Sequence, residues 1–523
     1  MYLSSLKTYL RPVLFLGAIF LKFWLIWASE IRDASDDPHE YVLQVLYPGQ
    51  GGLFYPPGTG LVGGFFHTLG LPFRLGMEIA YLLAITLVVR ALFAWPWRKN
   101  LPFGLFLLAA FDPAVVELFT HFYSDPVWLV ETLLGLAFFG IAFREEGRLD
   151  WKYLLLSLGF FNLSLLTRII AVPLLASTII FALVALALLV VKFRSKKVKR
   201  SLDLLALTIP TLIFGLSLTV VGAARWNYVH HGYMGLSLID CAEFKNLYLT
   251  LQSVGEPDGP PYYPIDGNRR QLIAKAGPYS KQFVTALDDN IVYKDASFKE
   301  YGRPDIACGW FPWAAYTAAM DPTKGEYLTA FTLFGHVQDE IAAADRRGIL
   351  QVRQVIPLPD VRIAIVAGVL PSGIGHTIMK IVQEPSPSEF TASKATYADP
   401  DFTHALNRRT VSGSPLRNHL WGALAFIYGW LYTPVTFALL PIALGGWMVS
   451  TYRRWALIEE FSLSFVTLQF FIIIFLAYLG WYSVFDASGM PVTSRYMMLN
   501  HVLLVPLAFF YAVAWHRLVR KTN

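Results

Sequence analysis

This chain is short of charge. Only 15% of its 523 residues are Asp, Glu, Lys or Arg, against roughly 25% in soluble globular proteins. With 55% hydrophobic residues and a mean hydropathy of +0.47, such a chain cannot cover itself with a water-facing surface, which excludes a soluble globular protein. Cysteine is nearly missing. Cys241 and Cys308 stand alone, too few for a disulfide framework and without the paired Cys-x-x-Cys of zinc or redox sites. There is no P-loop, no Gly-rich dinucleotide fingerprint, no His-Glu-x-x-His helix and no nucleophile elbow, which takes support from nucleotide-driven transport and soluble-type hydrolysis. Internal repeats and low-complexity tracts are also lacking.

What is there in quantity is apolar sequence of spanning length, roughly 17–25 residues at a time. Such segments fall near 11–29, 75–95, 101–120, 126–143, 153–171, 172–192, 204–224, 418–449, 461–482 and 497–515, so the expected fold is an all-α polytopic membrane protein of about ten transmembrane helices. The first segment has no small-residue cleavage site after it and reads as a retained helix, not a signal peptide. The pair 153–171 and 172–192 meets at Val172-Pro173, and counting it as two segments settles the topology. Arg98, Lys99, the cations between Lys192 and Arg200, Arg453, Arg454, Arg517, Arg520 and Lys521 then share one side, which the positive-inside rule makes cytoplasmic. The formal net charge of +6 belongs mostly to this rim, which suits anionic membrane lipids and gives no reason to expect nucleic acid.

Three units follow. Residues 1–224 form a transmembrane module of about seven spans, 225–417 an inserted extracytoplasmic domain expected to be α+β, and 418–523 a C-terminal module of about three spans. Within the insert, helical patterns cover Pro278–Asp289, Tyr327–Gly348 and Pro359–Val382. Cys241 and Cys308 both lie there, and the sequence leaves open whether they pair or are small buried hydrophobes. The only Asn-x-Ser/Thr triplet, Asn162-Leu163-Ser164, is in a span and not in the insert, which favours a bacterial inner membrane over the endoplasmic reticulum despite the dibasic Arg520-Lys521 near the end.

The chemistry-bearing residues gather on the outer side. Between the first span and Tyr55-Pro56-Pro57-Gly58 runs Asp33-Ala34-Ser35-Asp36-Asp37-Pro38-His39-Glu40-Tyr41, four carboxylates that repel one another unless a cation binds or one keeps its proton. Asp37-Pro38 is also a helix start, Asp as N-cap, Pro at the first position and Glu40 three residues after the cap. Capping and catalysis are compatible, because a cap is held ionised and a general base must be ionised. His121-Phe122-Tyr123-Ser124-Asp125-Pro126 opens the fourth span from the same side. For Asp125, capping and function are equally good explanations. Arg168, in Leu166-Thr167-Arg168-Ile169, is embedded in apolar sequence, and Arg495-Tyr496 precedes the last span. An arginine so placed either snorkels or binds an anion, and its planar fork suits phosphate.

Together these motifs resemble the GT-C superfamily of membrane glycosyltransferases, which use polyprenyl-phosphate-linked sugars, and in particular the protein mannosyltransferase and aminoarabinose transferase group. The resemblance rests on Asp37 four residues before Tyr41, on Tyr55-Pro56-Pro57, on Ser124-Asp125, on Leu166-Thr167-Arg168 and on Arg495-Tyr496. It implies an inverting transfer of sugar from the lipid donor to a glycan, lipid or protein acceptor on the extracytoplasmic, periplasmic face. Asp37 would be the catalytic base, with Asp36 beside it. Asp125, Glu40 and His39 would supply the second acid and the acceptor contacts, and Arg168, Arg495 and Tyr496 would meet the donor phosphate. It names no metal ligand, while leaving room for a divalent cation, Mg2+ or Mn2+, at the phosphate. The insert after the seventh span departs from the relatives that carry their soluble domain at the C-terminus, which leaves the acceptor open. The competing reading is a transporter or flippase of a lipid-linked or polar solute, with the acids binding protons or cations.

Overall fold

The computed structural model describes residues 2–26, 41, 55–93, 95–120, 122–143, 150–168, 174, 177, 179–180, 196–239, 241–256, 265–302, 305–306, 310–320, 327–353, 374–375, 377–379, 415–456, 463–487 and 497–522. Its described elements are helices: α1 (Tyr2–Ile26), α2 (Gly58–Thr68), α3 (Phe73–Leu92), α4 (Asn100–Ala110), α5 (Pro113–Leu118), α6 (Ser124–Ala142), α7 (Trp151–Thr167), α8 (Lys196–His231), α9 (Ala242–Ser253), α10 (Gly267–Ile273), α11 (Pro278–Asp288), α12 (Ile291–Tyr301), α13 (Phe311–Ala319), α14 (Ala330–Arg346), α15 (Pro415–Ala456), α16 (Leu463–Ala487) and α17 (Met498–Thr522).

Three of these are long and apolar enough to cross a membrane: α3, α6 and the stretch Pro210–His231 of α8. They answer to the expected segments 75–95, 126–143 and 204–224. The expected segment 101–120 is not one span. It breaks at Phe111-Asp112 into α4 and α5, because Asp112 takes an extended conformation and caps α5, with Ala114 N–H donating to its Oδ1 at 2.9 Å, and Pro113 occupies the first helical position. Neither half approaches the ~20 residues a span needs. α2 is too short to register in a hydropathy pattern of spanning length. Of the expected pair 153–171 and 172–192, α7 realises the first, and most of the second lies outside the described residues.

A break inside an apolar bundle frees backbone carbonyls that lipid cannot satisfy. Here side chains from other helices take them. Tyr428 of α15 donates to Leu108 O at 2.9 Å, Tyr81 of α3 to Ala109 O at 3.0 Å, and Lys22 of α1 to Ala110 O at 2.6 Å. Beyond the break, Arg74 of α3 donates to Val116 O at 3.2 Å.

α6 and α7 form an antiparallel hairpin whose register is read from four polar pairs. Asp125 meets Arg168, Glu131 meets Thr167, Thr132 meets Ser164, and Ser157 donates to Gly135 O. The lack of a side chain at Gly135 lets Phe161 press against α6, since a Cβ there would stand 2.6 Å from that ring. One continuous core joins α1, α3, α4, α6, α7, α15, α16 and α17.

The insert has its own core. Phe244, Leu247 and Leu251 of α9, Phe283 and Leu287 of α11, Phe311 and Tyr316 of α13, and Phe334, Val337 and Ile341 of α14 are buried at helical spacing. The expected α+β character is not found. Among the described residues the insert holds helices α9 to α14 and a single antiparallel bridge between Val254 and Val352. Short capped helices satisfy its backbone instead: Asp266 caps α10, Asn290 caps α12, and Gly302 closes α12 at φ 73°. The helical patterns at 278–289 and 327–348 are realised as α11 and α14, while 359–382 lies almost wholly outside the described residues.

Cys241 is a buried free thiol, and Cys308 lies outside the described residues. The Cys241 Sγ accepts from Phe244 N–H at 3.5 Å as the cap of α9 and lies 3.4 Å from Tyr316 Oη. Burial pushes the thiol from 9.0 up to about 11, and it raises the Tyr316 hydroxyl as well. The thiolate is the reactive form. In a Cys308→Ser background, Cys241 is therefore expected to resist iodoacetamide at pH 8 in the folded chain and to react only as pH climbs towards 11 or on unfolding. Rapid alkylation at pH 8 without unfolding would contradict this placement.

Candidate active site

The start of α6 and the end of α7 lie side by side because the hairpin is antiparallel. Arg168 is the residue on which α7 stops: its backbone is extended, and its N–H still donates to Ser164 O at 3.2 Å. The guanidinium pairs with Asp125, and both groups are buried. Asp125 is not a cap. Tyr123 holds the cap position of α6 without a side-chain hydrogen bond, and the Asp125 carboxylate is engaged with Arg168. Of the Asp-Pro dipeptides at 37, 112 and 125, Asp112 caps its helix, Asp125 does not, and Asp37 lies outside the described residues.

Around this ion pair the motif residues converge. The Arg168 guanidinium carbon lies 5.9 Å from the centre of the Trp128 ring, a cation–π contact, and Trp128 packs 5.2 Å from Tyr478 of α16. Thr167 donates to Glu131 Oε2 at 2.6 Å. The Tyr-Pro-Pro-Gly segment docks here too. A Cβ on Gly58 would stand 2.6 Å from the backbone N and Cα of Thr167, so α2 begins in direct contact with the end of α7. Tyr55 stacks on Tyr41 at 5.0 Å, and Tyr41 sets its ring against Phe122 at 6.2 Å. Tyr55 also reaches Trp313 of the insert at 5.6 Å, so one side chain packs against both cores.

The structure thus brings Asp125, Arg168, Tyr41, Tyr55 and the Pro-Pro-Gly turn together. Asp36, Asp37, His39, Glu40, His121, Arg495 and Tyr496 lie outside the described residues. Glu131, Trp128 and Tyr478 join the site without belonging to any of the sequence motifs. Glu131 carries a usable signal, an acid in the middle of a span; Trp128 and Tyr478 carry none, since aromatics in apolar helices are ordinary core.

A second buried cluster lies at the α4/α5 break. Glu78 stands 3.4 Å from Lys22 and 3.9 Å from Arg74, all three buried. Asp112 Oδ2 lies 2.9 Å from Nε2 of His501 on α17, and Tyr432 of α15 donates to His501 O at 3.1 Å. Phe73 links the two clusters, packing on Phe122 at 4.4 Å. Among the described residues no group of three or more His, Cys, Asp and Glu could hold a metal ion.

The described elements are thus helices, three of them suited to a bilayer, with a charged, aromatic-walled site at one end of a helical hairpin. No protein-family model matches the chain, and no curated protein does. Among solved structures it is similar to ArnT from Cupriavidus metallidurans in the apo state, with 12% identity and a TM-score of 0.31 over 91% of this chain and 77% of that one.

Removing one member of a buried pair strands the other, at a cost of about 3–5 kcal/mol. Asp125→Asn and Arg168→Gln are each expected to lower stability in detergent strongly, and the double variant by clearly less than the sum. Additive losses in thermal unfolding would show that the pair is not coupled. Glu78→Gln leaves Lys22 and Arg74 as neighbouring buried cations, and is expected to cost about 3–5 kcal/mol by the same measurement.

Proposed function

We propose that this chain is an integral membrane glycosyltransferase of the GT-C kind that moves a sugar from a polyprenyl-phosphate donor to a glycan, lipid or protein acceptor. The observation that carries the reading is the buried Asp125–Arg168 pair, with the Tyr55-Pro56-Pro57-Gly58 turn packed onto Thr167. Motifs more than a hundred residues apart in sequence meet in one place, and that place joins a cation suited to phosphate with a carboxylate suited to an acceptor. Tyr41, four residues after Asp37 in the chain, forms part of its wall.

In this reading the reaction is a single displacement with inversion. The acceptor hydroxyl attacks the anomeric carbon and passes its proton to Asp37, with Asp36 as its neighbour. The glycosidic bond to phosphate breaks, and polyprenyl phosphate leaves with the electron pair, its charge met by Arg168 and Arg495. A divalent cation at that phosphate would act as a further Lewis acid. Asp125 orients Arg168, while Glu40 and His39 line the acceptor side. The membrane assigned to the chain is a bacterial inner membrane with the site facing the periplasm, where lipid carriers supply activated sugar.

The transporter reading gains from one observation, the buried Lys22–Glu78–Arg74 cluster, since ionisable groups inside helices mark solute pathways in carriers. Assay of label transfer from a synthetic polyprenyl-phosphate sugar separates the two. Wild type is expected to transfer or hydrolyse the donor, and Asp37→Asn to lower the rate by at least about 100-fold, the usual contribution of a positioned base, while eluting as the same monodisperse species. Full activity in Asp37→Asn would remove the base assignment. Binding of labelled lipid without turnover across several sugars would favour the transporter.

A further inference from the structure

Far from the hairpin site, the corner where α1, the end of α3 and the start of α4 meet collects positive charge. Arg90 stands in the last turn of α3, about 25 Å along the helix from Phe73. The chain then passes through one turn of 3-10 helix, Pro96–Arg98, which begins because Trp95 is extended and Pro96 takes the first position. That turn packs on α1. Arg11 Nη1 donates to Arg98 O at 2.7 Å, and Trp97 lies 5.1 Å from Phe15. Trp95 stacks on Trp97 at 4.6 Å, and the Arg90 guanidinium carbon lies 4.1 Å from the centre of the Trp95 ring. Two guanidinium groups from different helices are thus fixed around one stacked tryptophan pair, with Arg98 and Lys99 exposed beside them.

The charge in this corner is of one sign. Residues 1–29, 79–111 and 487–523, which supply α1, most of α3, α4 and α17, contain no Asp or Glu. Phe93 packs on Phe510 of α17 at 5.7 Å, and the later turns of that helix add Arg517, Arg520 and Lys521 to the same end of the sequence pattern. Among the described residues no carboxylate pairs with Arg11, Arg90, Arg98 or Lys99, and the buried Nε of Arg90 has no hydrogen-bond acceptor. The C-terminal dipole of α3 answers part of the Arg90 charge, and nothing comparable reaches Arg11 in the body of α1. An arginine that only snorkels keeps its head in water. Here both guanidinium groups are half-buried and tied down, one by a carbonyl and one by a ring.

Apolar surface runs away from both arginines. Leu14 and Leu21 follow Arg11 by three and ten residues, and Leu83 and Ile79 precede Arg90 by seven and eleven, so each pair shares a helix face with its arginine, and all four are exposed. At Gly17, on the same helix as Leu14 and Leu21, a Cβ would meet nothing within 4 Å. Fixed guanidinium groups at the head of open apolar strips suit a phosphodiester that carries long acyl chains.

We infer that Arg11, Arg90 and the Trp95–Trp97 pair form a binding site for the headgroup of an anionic phospholipid, whose chains lie along α1 and α3. The lipid belongs to the leaflet that the positive-inside rule makes cytoplasmic. The site stands at the opposite end of α3 from the candidate active site and does not depend on the transferase reading. It converts a general attraction of the basic rim for anionic lipid into one place with named ligands.

The test is thermal unfolding of the full chain in detergent micelles titrated with phosphatidylglycerol, with phosphatidylcholine of the same chains and glycerol phosphate as separate arms. Phosphatidylglycerol is expected to raise the unfolding temperature at concentrations where neither control does. Arg90→Gln and Arg11→Gln are each expected to weaken this binding about tenfold, as the loss of one hydrogen bond to a charged group does. The unliganded unfolding temperature shows that they fold, and their places on different helices make the two readings independent. Arg453→Gln removes a cation of the same rim at another place and is expected to leave binding unchanged. An equal loss in Arg453→Gln and the two corner variants would overturn the site, because the rim as a whole would then hold the lipid. Full binding by both corner variants would overturn it as well. Protection by phosphatidylcholine to the same extent would overturn the selection of an anion, and protection by glycerol phosphate would overturn the lipid source.

Discussion

The pairing of Asp125 with Arg168 is the interaction on which the rest of the membrane module hangs. A charge in an apolar bundle is tolerated only beside its opposite, and this pair can form only if the start of α6 and the end of α7 are adjacent. That fixes the hairpin, the register of its four polar contacts and the position of Trp128 beside the guanidinium. It also fixes where α2 can begin, since Gly58 rests on Thr167.

The same constraint shapes the neighbouring cluster from the backbone side. The interruption at Phe111-Asp112 releases carbonyls into a region with no solvent, and Lys22, Arg74, Tyr81 and Tyr428 are the donors that take them. Two of those donors are cations, and Glu78 is placed between them. A helix break, three buried charges and the Asp112–His501 contact are therefore one arrangement. Its cause is a single Asp-Pro dipeptide.

Much of this architecture is legible in the amino-acid sequence. Hydropathy locates α3, α6, α7, α15, α16 and α17, and the position of Arg168 in apolar sequence marks it as snorkelling or bound to an anion, whereas Asp125 reads equally well as a helix cap. The interruption at Asp112 is also visible in principle, because Asp-Pro starts helices, yet apolar composition on both sides outweighs it. The partners of Arg168 are less visible. Which of several acids reaches it depends on the hairpin register, which hydropathy does not encode, and Glu131 can be matched to Thr167 only once that register is known. The insert is legible in part: the patterns at 278–289 and 327–348 locate two of its helices, whereas the contacts that hold them are distant in sequence, such as Glu340 accepting from Ser280 N–H at 2.7 Å.

Tyr55 bears on how the protein is made. Its ring stacks on Tyr41 of the first loop and meets Trp313 of the insert edge-on, yet these partners leave the ribosome at very different times. Trp313 follows Tyr55 by roughly 260 residues, a delay on the order of 13–50 s at usual synthesis rates of about 5–20 residues per second. Throughout that interval the loop carries an aromatic surface whose final partner does not yet exist. The membrane helices of the first module are threaded before the wall beside Tyr55 can close. Assembly of this site is therefore a late event in biosynthesis, and the nascent chain carries an incomplete site until the insert has folded.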